Sequence, residues 1–538
     1  MLPHLRDLDF WQITVMLLSI LIFCPLIALI LLSFGDSEGL WKHLFETVLT
    51  RYVSNTLLLM IGVSIFSLIF GITTAWILTT YRFWFSNLLE ILMLLPMACP
   101  AYLVAYAYTD FFEYAGPVQG FLRDLMGWQT ASDYVFPEIR SLGGAIFVLS
   151  AVLYPYIYLL AKTAFRQTPN SYYEVSQLYK KNLFWNISLP LARPAIVAGL
   201  ALVCMEVVSD FGTVEYFALE TLTLGIFNVW IGMNNINAAA QISTFTFIFI
   251  LLLLLVEIRS RAGKRFNDTS SRQTNKNARF INGIEAAFCI VACLVPVFLG
   301  FFIPVLILIS NAITSLDYHN FNEVFKIFMN TLIISICGAL CIIIVSTTMA
   351  STAYFSGKTY LRTIANFSAS GYAFPGTMLA IGILVFVGVL DKALGILSTE
   401  GMNLFLSGTL FMLIFAYIVK FQAVGYGAVL SGLTRTSPNL VWASRTLGLS
   451  FQKTVSRVTI PLIKKSIIAG GVLAFVDIMK ELPITLLLRP FDFETLATFT
   501  YQFAHDELMG QASIPALLII LVGLIPVLFL NKILKDSI

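Results

Sequence analysis

The sequence predicts an all-α polytopic membrane protein with about twelve transmembrane helices, arranged as two six-helix repeats. Three observations carry that prediction. Of the 538 residues, 58% are hydrophobic and only 12% are charged, against about 25% charged in an ordinary soluble domain. The apolar residues fall in twelve long runs, each able to cross a bilayer at roughly 20 residues per span. Short sequence markers then recur at a nearly constant offset. Disorder is excluded, because it needs low hydrophobicity and high charge. The net charge of +3 makes no case for nucleic-acid binding.

The first series of runs covers about residues 11–33, 54–79, 87–109, 143–165, 191–212 and 239–258. The second covers about 284–310, 329–354, 364–390, 402–427, 463–484 and 511–532. None shows the short alternation of barrel strands, so helices are the only way to satisfy the backbone in lipid. No small-residue cleavage site follows the first run, which therefore reads as a retained helix. The seven cysteines all lie in apolar segments and read as small packing residues.

The polar segments orient the chain. Residues 259–283 carry Arg259, Arg261, Lys264, Arg265, Arg272, Lys276 and Arg279 against Asp268, which marks a cytoplasmic linker by the positive-inside rule. Arg435, Arg445, Lys453, Arg457, Lys464 and Lys465 cluster near one further loop, and Arg166, Lys180 and Lys181 near another. Acids dominate 109–142 and 485–510, which should face outward. Both termini then lie inside.

The repeat boundaries are 1–258 and 284–538, with the basic linker between. Asn55-Thr56-Leu57 returns as Asn330-Thr331-Leu332, and Pro100 returns as Pro375 at the same offset. Leu189-Pro190 returns as Ile460-Pro461, Glu220-Thr221-Leu222 as Glu494-Thr495-Leu496, and Gln241 as Gln511, each at an offset only slightly shorter. Six helices per half insert both halves the same way, so a pseudo-two-fold axis along the membrane normal is expected, with a pathway between the halves.

Two basic loops are the strongest local signal. One reads Val441-Trp442-Ala443-Ser444-Arg445-Thr446-Leu447-Gly448 and runs to Val458-Thr459-Ile460-Pro461. The other reads Tyr173-Glu174-Val175-Ser176-Gln177-Leu178 and ends Ile187-Ser188-Leu189-Pro190. Each reads as a short amphipathic helix, a basic turn and a Pro that opens the next membrane helix. Taken singly, either is equally a solvated loop. Recurrence in both halves favours function.

These loops resemble the membrane subunits of binding-protein-dependent ABC importers, whose loop follows E-A-A, three residues, G, nine residues, I-x-L-P. Gly448 and Pro461 stand at the family spacing and Ala443-Ser444 fill the small positions, while Trp442 replaces the acid. In the first half Glu174-Val175-Ser176 and Pro190 match, but Glu174 to Pro190 spans 16 positions instead of 19 and the Gly is absent. The resemblance implies a type I importer permease fold. It also implies that the segments containing Glu174, Val175, Ser176, Leu178, Pro190, Ala443, Ser444, Leu447, Gly448 and Pro461 dock into a groove on an ATPase subunit. Two copies of that cytoplasmic subunit would hold ATP and Mg, this chain would bind no cofactor and catalyse no bond chemistry, and an extracytoplasmic binding protein would deliver the substrate.

Gly357-Lys358-Thr359 imitates the end of a phosphate-binding loop, but that motif needs Gly where Thr352 stands. The four histidines are scattered, and His505-Asp506-Glu507 reads as a solvated outer loop.

Four intramembrane acids remain. Glu206 and Asp210 are one turn apart in the fifth run, and Asp477 and Glu481 in the eleventh, at the same offset as the Leu-Pro and Ile-Pro pair. Ionised side chains in a bilayer are costly and usually line a path. Four carboxylates also suit a hard cation, so Glu206, Asp210, Asp477 and Glu481 are the candidates for the translocation path and for metal contact. The structural alternative is pairing with Lys480 or capping of a helix end. Tyr102, Tyr106, Tyr108, Tyr154, Tyr156 and Tyr158 offer phenolates, but their spacing fits packing aromatics better.

The segments Glu206 to Phe217, Lys480-Glu481-Leu482-Pro483 and Phe493 to Ala497 are similar to double-length iron(III) permeases of that class, and the likeness runs over nearly the whole chain. Ferric iron is therefore the expected substrate. Related permeases for thiamine or polyamines remain open, as does a twelve-helix ion-coupled secondary transporter, against which the paired docking loops argue.

Overall fold

The computed structural model describes residues 6–166, 182–262, 279–318, 320–397 and 406–536. Among them, nine helices are long and apolar enough to cross a membrane: Phe10–Leu32, Leu49–Thr80, Leu142–Arg166, Phe184–Ser209, Ile284–Thr314, Phe321–Phe355, Gly376–Gly395, Leu410–Arg435 and Met509–Val527. A tenth span is broken: Ser86–Ala98 and Ala101–Met126 meet at 88°. Two further helices, Ile236–Ala262 and Ile460–Met479, occupy the remaining apolar runs. The second of these carries Lys464, Lys465 and Asp477.

The break at Cys99–Pro100 has a local cause. Pro100 has no N–H to donate, and it disfavours helical backbone at the residue before it. Cys99 accordingly turns extended, with φ −94° and ψ 114°. The expected run 364–390 is likewise divided, into Thr359–Ser368 and Gly376–Leu397, with Pro375 in the gap.

The chain folds into two compact units that interleave in sequence. One comprises Met1–His43, Gly225–Thr244 and Leu316–Ile538; the other comprises Leu44–Leu224 and Phe245–Ser315. The first helix, Arg6–Leu32, thus packs among helices of the second repeat, where Gly382 lies so close to the Pro25 carbonyl that a Cβ would sit 2.4 Å away. In the other unit, Ile284–Thr314 packs on helices of the first repeat. Tyr108 donates to the Leu299 carbonyl at 2.6 Å, Asn311 donates to Asp110 at 2.7 Å, and Gly300 admits the Ala151 carbonyl. Small residues at such crossings let backbones approach, which is how helices gain contact in lipid.

Within each unit the central helices cross on glycines. Gly71 and Gly199 both pack against Ile157, and Gly425 and Gly470 pack at Ser346 and Ala428. The tyrosines fill this packing. Tyr106, Tyr108, Tyr154 and Tyr158 are fully buried, Tyr154 donates to the Met93 carbonyl at 3.2 Å, and the Tyr106 and Tyr216 rings meet at 4.5 Å.

Residues 263–278 of the basic linker lie outside the described residues. Its end is tied down: Arg279–Phe280 pairs in parallel with Tyr81–Arg82, and Ile281 donates to the Arg82 carbonyl at 3.0 Å.

Candidate functional site

The second basic loop is a built structure. Ser437 precedes a nine-residue helix, Pro438–Thr446. Gly448 ends it with φ +88°, the left-handed conformation that glycine adopts without a Cβ penalty. Its N–H bonds to the Arg445 carbonyl at 3.0 Å, and the Leu449 N–H bonds to the Ser444 carbonyl at 3.2 Å. This pair of bonds is the Schellman closure of a helix, and it explains why the loop pattern has Gly at that place. Ser444 is buried and donates to Thr454 Oγ1 at 3.0 Å, which clamps this helix onto the next turn. That turn starts at Ser450, whose hydroxyl accepts from the Lys453 N–H. Around the helix Leu440, Trp442 and Leu447 are 49%, 54% and 84% exposed, and Ala443 is exposed as well. Trp442, which occupies the acid's place, adds exposed apolar area.

In both halves a five-residue π turn leads into the Pro: Phe184–Ser188 before Leu189-Pro190, and Val455–Thr459 before Ile460-Pro461. Proline's ring collides with the carbonyl four residues back in a regular helix. The wider π turn gives that carbonyl room. Glu174, Val175, Ser176 and Leu178 lie outside the described residues.

The intramembrane acids are arranged differently from the expected single helix faces. The fifth membrane helix ends at Ser209 and the eleventh at Met479, so Asp210 and Glu481 lie at breaks rather than one turn further along a helix. The reason is hydrogen bonding. Asp210 accepts from the Thr213 N–H (3.1 Å), the Thr213 hydroxyl (3.1 Å) and the Val214 N–H (3.2 Å), and so starts the short helix Gly212–Tyr216. Glu481 Oε1 accepts from the Ile484 N–H at 3.2 Å and starts Pro483–Leu488. Pro483, which cannot donate to a continuing helix, enforces the second break. Asp477 pairs with Lys480 at 2.9 Å, and Glu206 faces the Tyr156 hydroxyl at 3.5 Å. Glu481 is buried and receives Lys420 Nζ at 2.8 Å. The capping and Lys480-pairing alternatives are thus both realised. Among the described residues, no three His, Cys, Asp or Glu side chains form a group able to hold a metal.

After each break the chain forms a short hairpin whose return arm is pinned by the repeat markers. Thr331 Oγ1 accepts from the Leu496 N–H at 2.8 Å, and Thr56 Oγ1 accepts from the Leu222 N–H at 3.1 Å. Each hydroxyl donates in turn to the carbonyl one helical turn back, Ile327 or Tyr52. The Asn-Thr-Leu and Glu-Thr-Leu markers are therefore the two sides of one contact, built once in each half. Glu220 and Glu494 anchor the hairpins through Arg51 (3.0 Å) and Arg489. Ala218 and Asp492 turn them with positive φ, 51° and 59°. The paired Thr markers are a sequence signal for these hairpins.

Of the remaining motifs, Gly357 (φ +69°) is a turn before Thr359–Ser368, and Lys358 Nζ donates to Gln12 at 2.6 Å in place of a phosphate. His505 and Asp506 are exposed and 3.8 Å apart.

Among the described residues, the apolar helices long enough to cross a membrane and the contacts that recur between the two halves of the sequence fit a membrane transport permease. Residues 67–262 match the family described as binding-protein-dependent transport system inner membrane component. The chain is 26% identical over 545 residues to the Fe(3+)-transport system permease protein FbpB 2 of Haemophilus influenzae, covering 98% of this chain and 99% of that one. It is 20% identical over 552 residues to the ferric transport system permease protein FbpB of Actinobacillus pleuropneumoniae, covering 97% and 77%. The sulfate transport system permease protein CysT of Salmonella typhimurium is 27% identical over 212 residues, 38% of this chain and 72% of that one. The matched family is the inner-membrane component of transport systems that depend on a binding protein.

Proposed function

We propose that this permease moves ferric iron inward, received from an external binding protein and driven by ATP hydrolysis on two copies of a separate ATPase. The observation that carries the iron assignment is the end-to-end similarity to a double-length Fe(3+) permease, 98% of one chain on 99% of the other. The sulfate permeases are similar over only 38% of the chain. ATP and Mg belong to the partner subunits. They dock on the loops around 171–187 and 439–456, on the inner side, where both termini also lie. Closure of the ATPases rocks the halves and switches access from outside to inside. Glu206 and Asp477 are the residues we assign to the translocation path.

Two measurements test this. Proteoliposomes containing the permease, its ATPase and its binding protein should take up radiolabelled ferric iron only with ATP, and Glu206→Gln with Asp477→Asn should block uptake without loss of assembly. Uptake of thiamine, a polyamine or sulfate in place of iron overturns the substrate; iron uptake unchanged in the double variant overturns the path. Leu447→Asp, at an exposed position, should leave the permease folded but abolish co-purification with the ATPase. Wild-type stoichiometry in that variant refutes the docking assignment.

A further inference from the structure

The second repeat contains a closed lever. The docking helix Pro438–Thr446 is joined by Thr436 and Ser437 to the membrane helix Leu410–Arg435 on one side. On the other side it continues through Phe451–Thr454 and the π turn into Ile460–Met479. These two arms meet again far from the docking helix. Lys420 lies roughly four helical turns before the end of the first arm at Arg435. Glu481 stands just beyond the end of the second arm at Met479. Their side chains join at 2.8 Å, both buried, 8% and 7% exposed.

The join continues into the hairpin that starts with Pro483–Leu488. The carboxylate that holds Lys420 with Oε2 holds the Ile484 N–H with Oε1. The Tyr417 hydroxyl, one turn before Lys420, meets Thr485 Oγ1 at 2.7 Å. Gly376 leaves the room: a Cβ there would stand 3.0 Å from Glu481 Oε1 and 2.8 Å from Pro483.

The first repeat is braced elsewhere. Arg166-x-x-Pro169-Asn170 returns as Arg435-x-x-Pro438-Asn439, and at that same offset Lys420 corresponds to Ala151. Asp210 takes its hydrogen bonds from its own turn, and among the described residues it has no cationic partner. The buried charges of that half sit at the docking end, where Glu90 holds Lys162 at 3.1 Å and Arg166 at 2.7 Å.

We propose that Lys420 and Glu481 are a positioning pair that couples the second docking loop to the hairpin that follows Glu481, so that the two halves of the permease respond unequally to the ATPases. A buried ion pair is a poor source of stability but a directional, stiff contact, and coupling between distant sites needs a packed element that both sites bias. A displacement of the docking helix along either arm is carried to Glu481, and through it to Ile484 and the hairpin. In the first half the Glu90 cluster braces the other end of the membrane helix, and the Asp210 carboxylate at the start of the hairpin is bonded within its own turn.

The inference rests on the docking reading, and the experiment separates the two. The permease is purified with its ATPase and binding protein in proteoliposomes, and uptake and ATP hydrolysis are measured together. Lys420→Met should keep the ATPase bound and hydrolysing at its basal rate, while uptake and its stimulation by the binding protein fall about tenfold, within the range of a coupling change. Lys420→Arg, which keeps the ion pair, should restore both. The neutral double variant Lys420→Met/Glu481→Gln leaves no unpaired buried charge and retains a cap acceptor, so it decides the matter if the single variant fails to assemble. It should assemble with the ATPase yet remain uncoupled. Wild-type uptake in the double variant overturns the proposal. So does an equal loss of uptake from Asp210→Asn with basal hydrolysis retained, which would make the halves equivalent. Failure of the wild-type permease to hold the ATPase sinks the docking reading instead.

Discussion

Replacing Thr331 by valine tests the contact that ties the second hairpin to its membrane helix. Valine keeps the branched shape at a site that is 1% exposed and removes only the hydroxyl. The Ile327 carbonyl, which that hydroxyl also touches at 2.8 Å, keeps its helical N–H partner. The Leu496 N–H does not: it is the first N–H of the helix Leu496–His505, one of the donors that a helix cannot satisfy itself, and its 2.8 Å bond is to Thr331. A buried donor left without a partner costs about 1–3 kcal/mol, which raises the population of the open hairpin roughly 5- to 150-fold. Hydrogen exchange on the purified permease reads this directly, because a peptide spanning residues 489–497 reports local opening. Exchange should quicken by that factor in Thr331→Val and stay near wild type in Thr331→Ser. Thr56→Val should act the same way on the hairpin before Leu222, more weakly, because that bond is longer at 3.1 Å. Exchange in Thr331→Val within about twofold of wild type would mean that the hydroxyl does not hold the hairpin.

Three other outcomes follow from the same structure. Gly448→Ala forces a Cβ into a φ of +88°, costs about 1–2 kcal/mol, and should weaken ATPase co-purification, with Gly448→Asn less affected. Gly300→Ala places a Cβ 2.2 Å from the Ala151 carbonyl and should lower the Tm by an overpacking cost of about 1–3 kcal/mol; Gly388→Ala, which meets nothing within 4 Å, should not. Asp133 accepts from the Gln129 and Thr130 N–H groups at 2.8 Å, and these bonds hold its carboxyl below the usual range. Its contribution to loop order is therefore full above the ordinary Asp value of about 4 and is lost as pH falls through its lower folded value. Trp128 fluorescence, reporting the stack on Tyr134 at 4.7 Å, should change only on that acid limb, and Asp133→Asn should remove the dependence.

The class of fold was legible because lipid leaves few solutions: twelve apolar runs must be helices, and all twelve have a helical counterpart. What periodicity does not supply are the places where a helix stops inside an apolar run. At Cys99–Pro100 the Pro is visible in the sequence, but the 88° turn is not. Asp210 and Glu481 stand out for the right reason, since a carboxylate in lipid needs a purpose, yet the purpose found is local. Each caps a turn, a role that depends on where the next three N–H groups point, and no composition encodes that. The repeat markers show the converse. As sequence, Asn-Thr-Leu and Glu-Thr-Leu are evidence of duplication alone. In the structure they are two halves of one hydrogen bond, made between positions 165 apart in one half and 166 apart in the other. Short polar motifs inside apolar segments are retained by a repeat where a backbone N–H would otherwise be stranded in lipid, so a recurring Thr there points to a partner motif. The ion pairings that do not recur among the described residues carry the opposite information. Glu90 with Lys162 and Arg166, and Lys420 with Glu481, are each present in one half only, and both clusters are largely buried. Duplication explains the shared hairpins, but it cannot explain these. They are where the two halves, built on one plan, were made mechanically different.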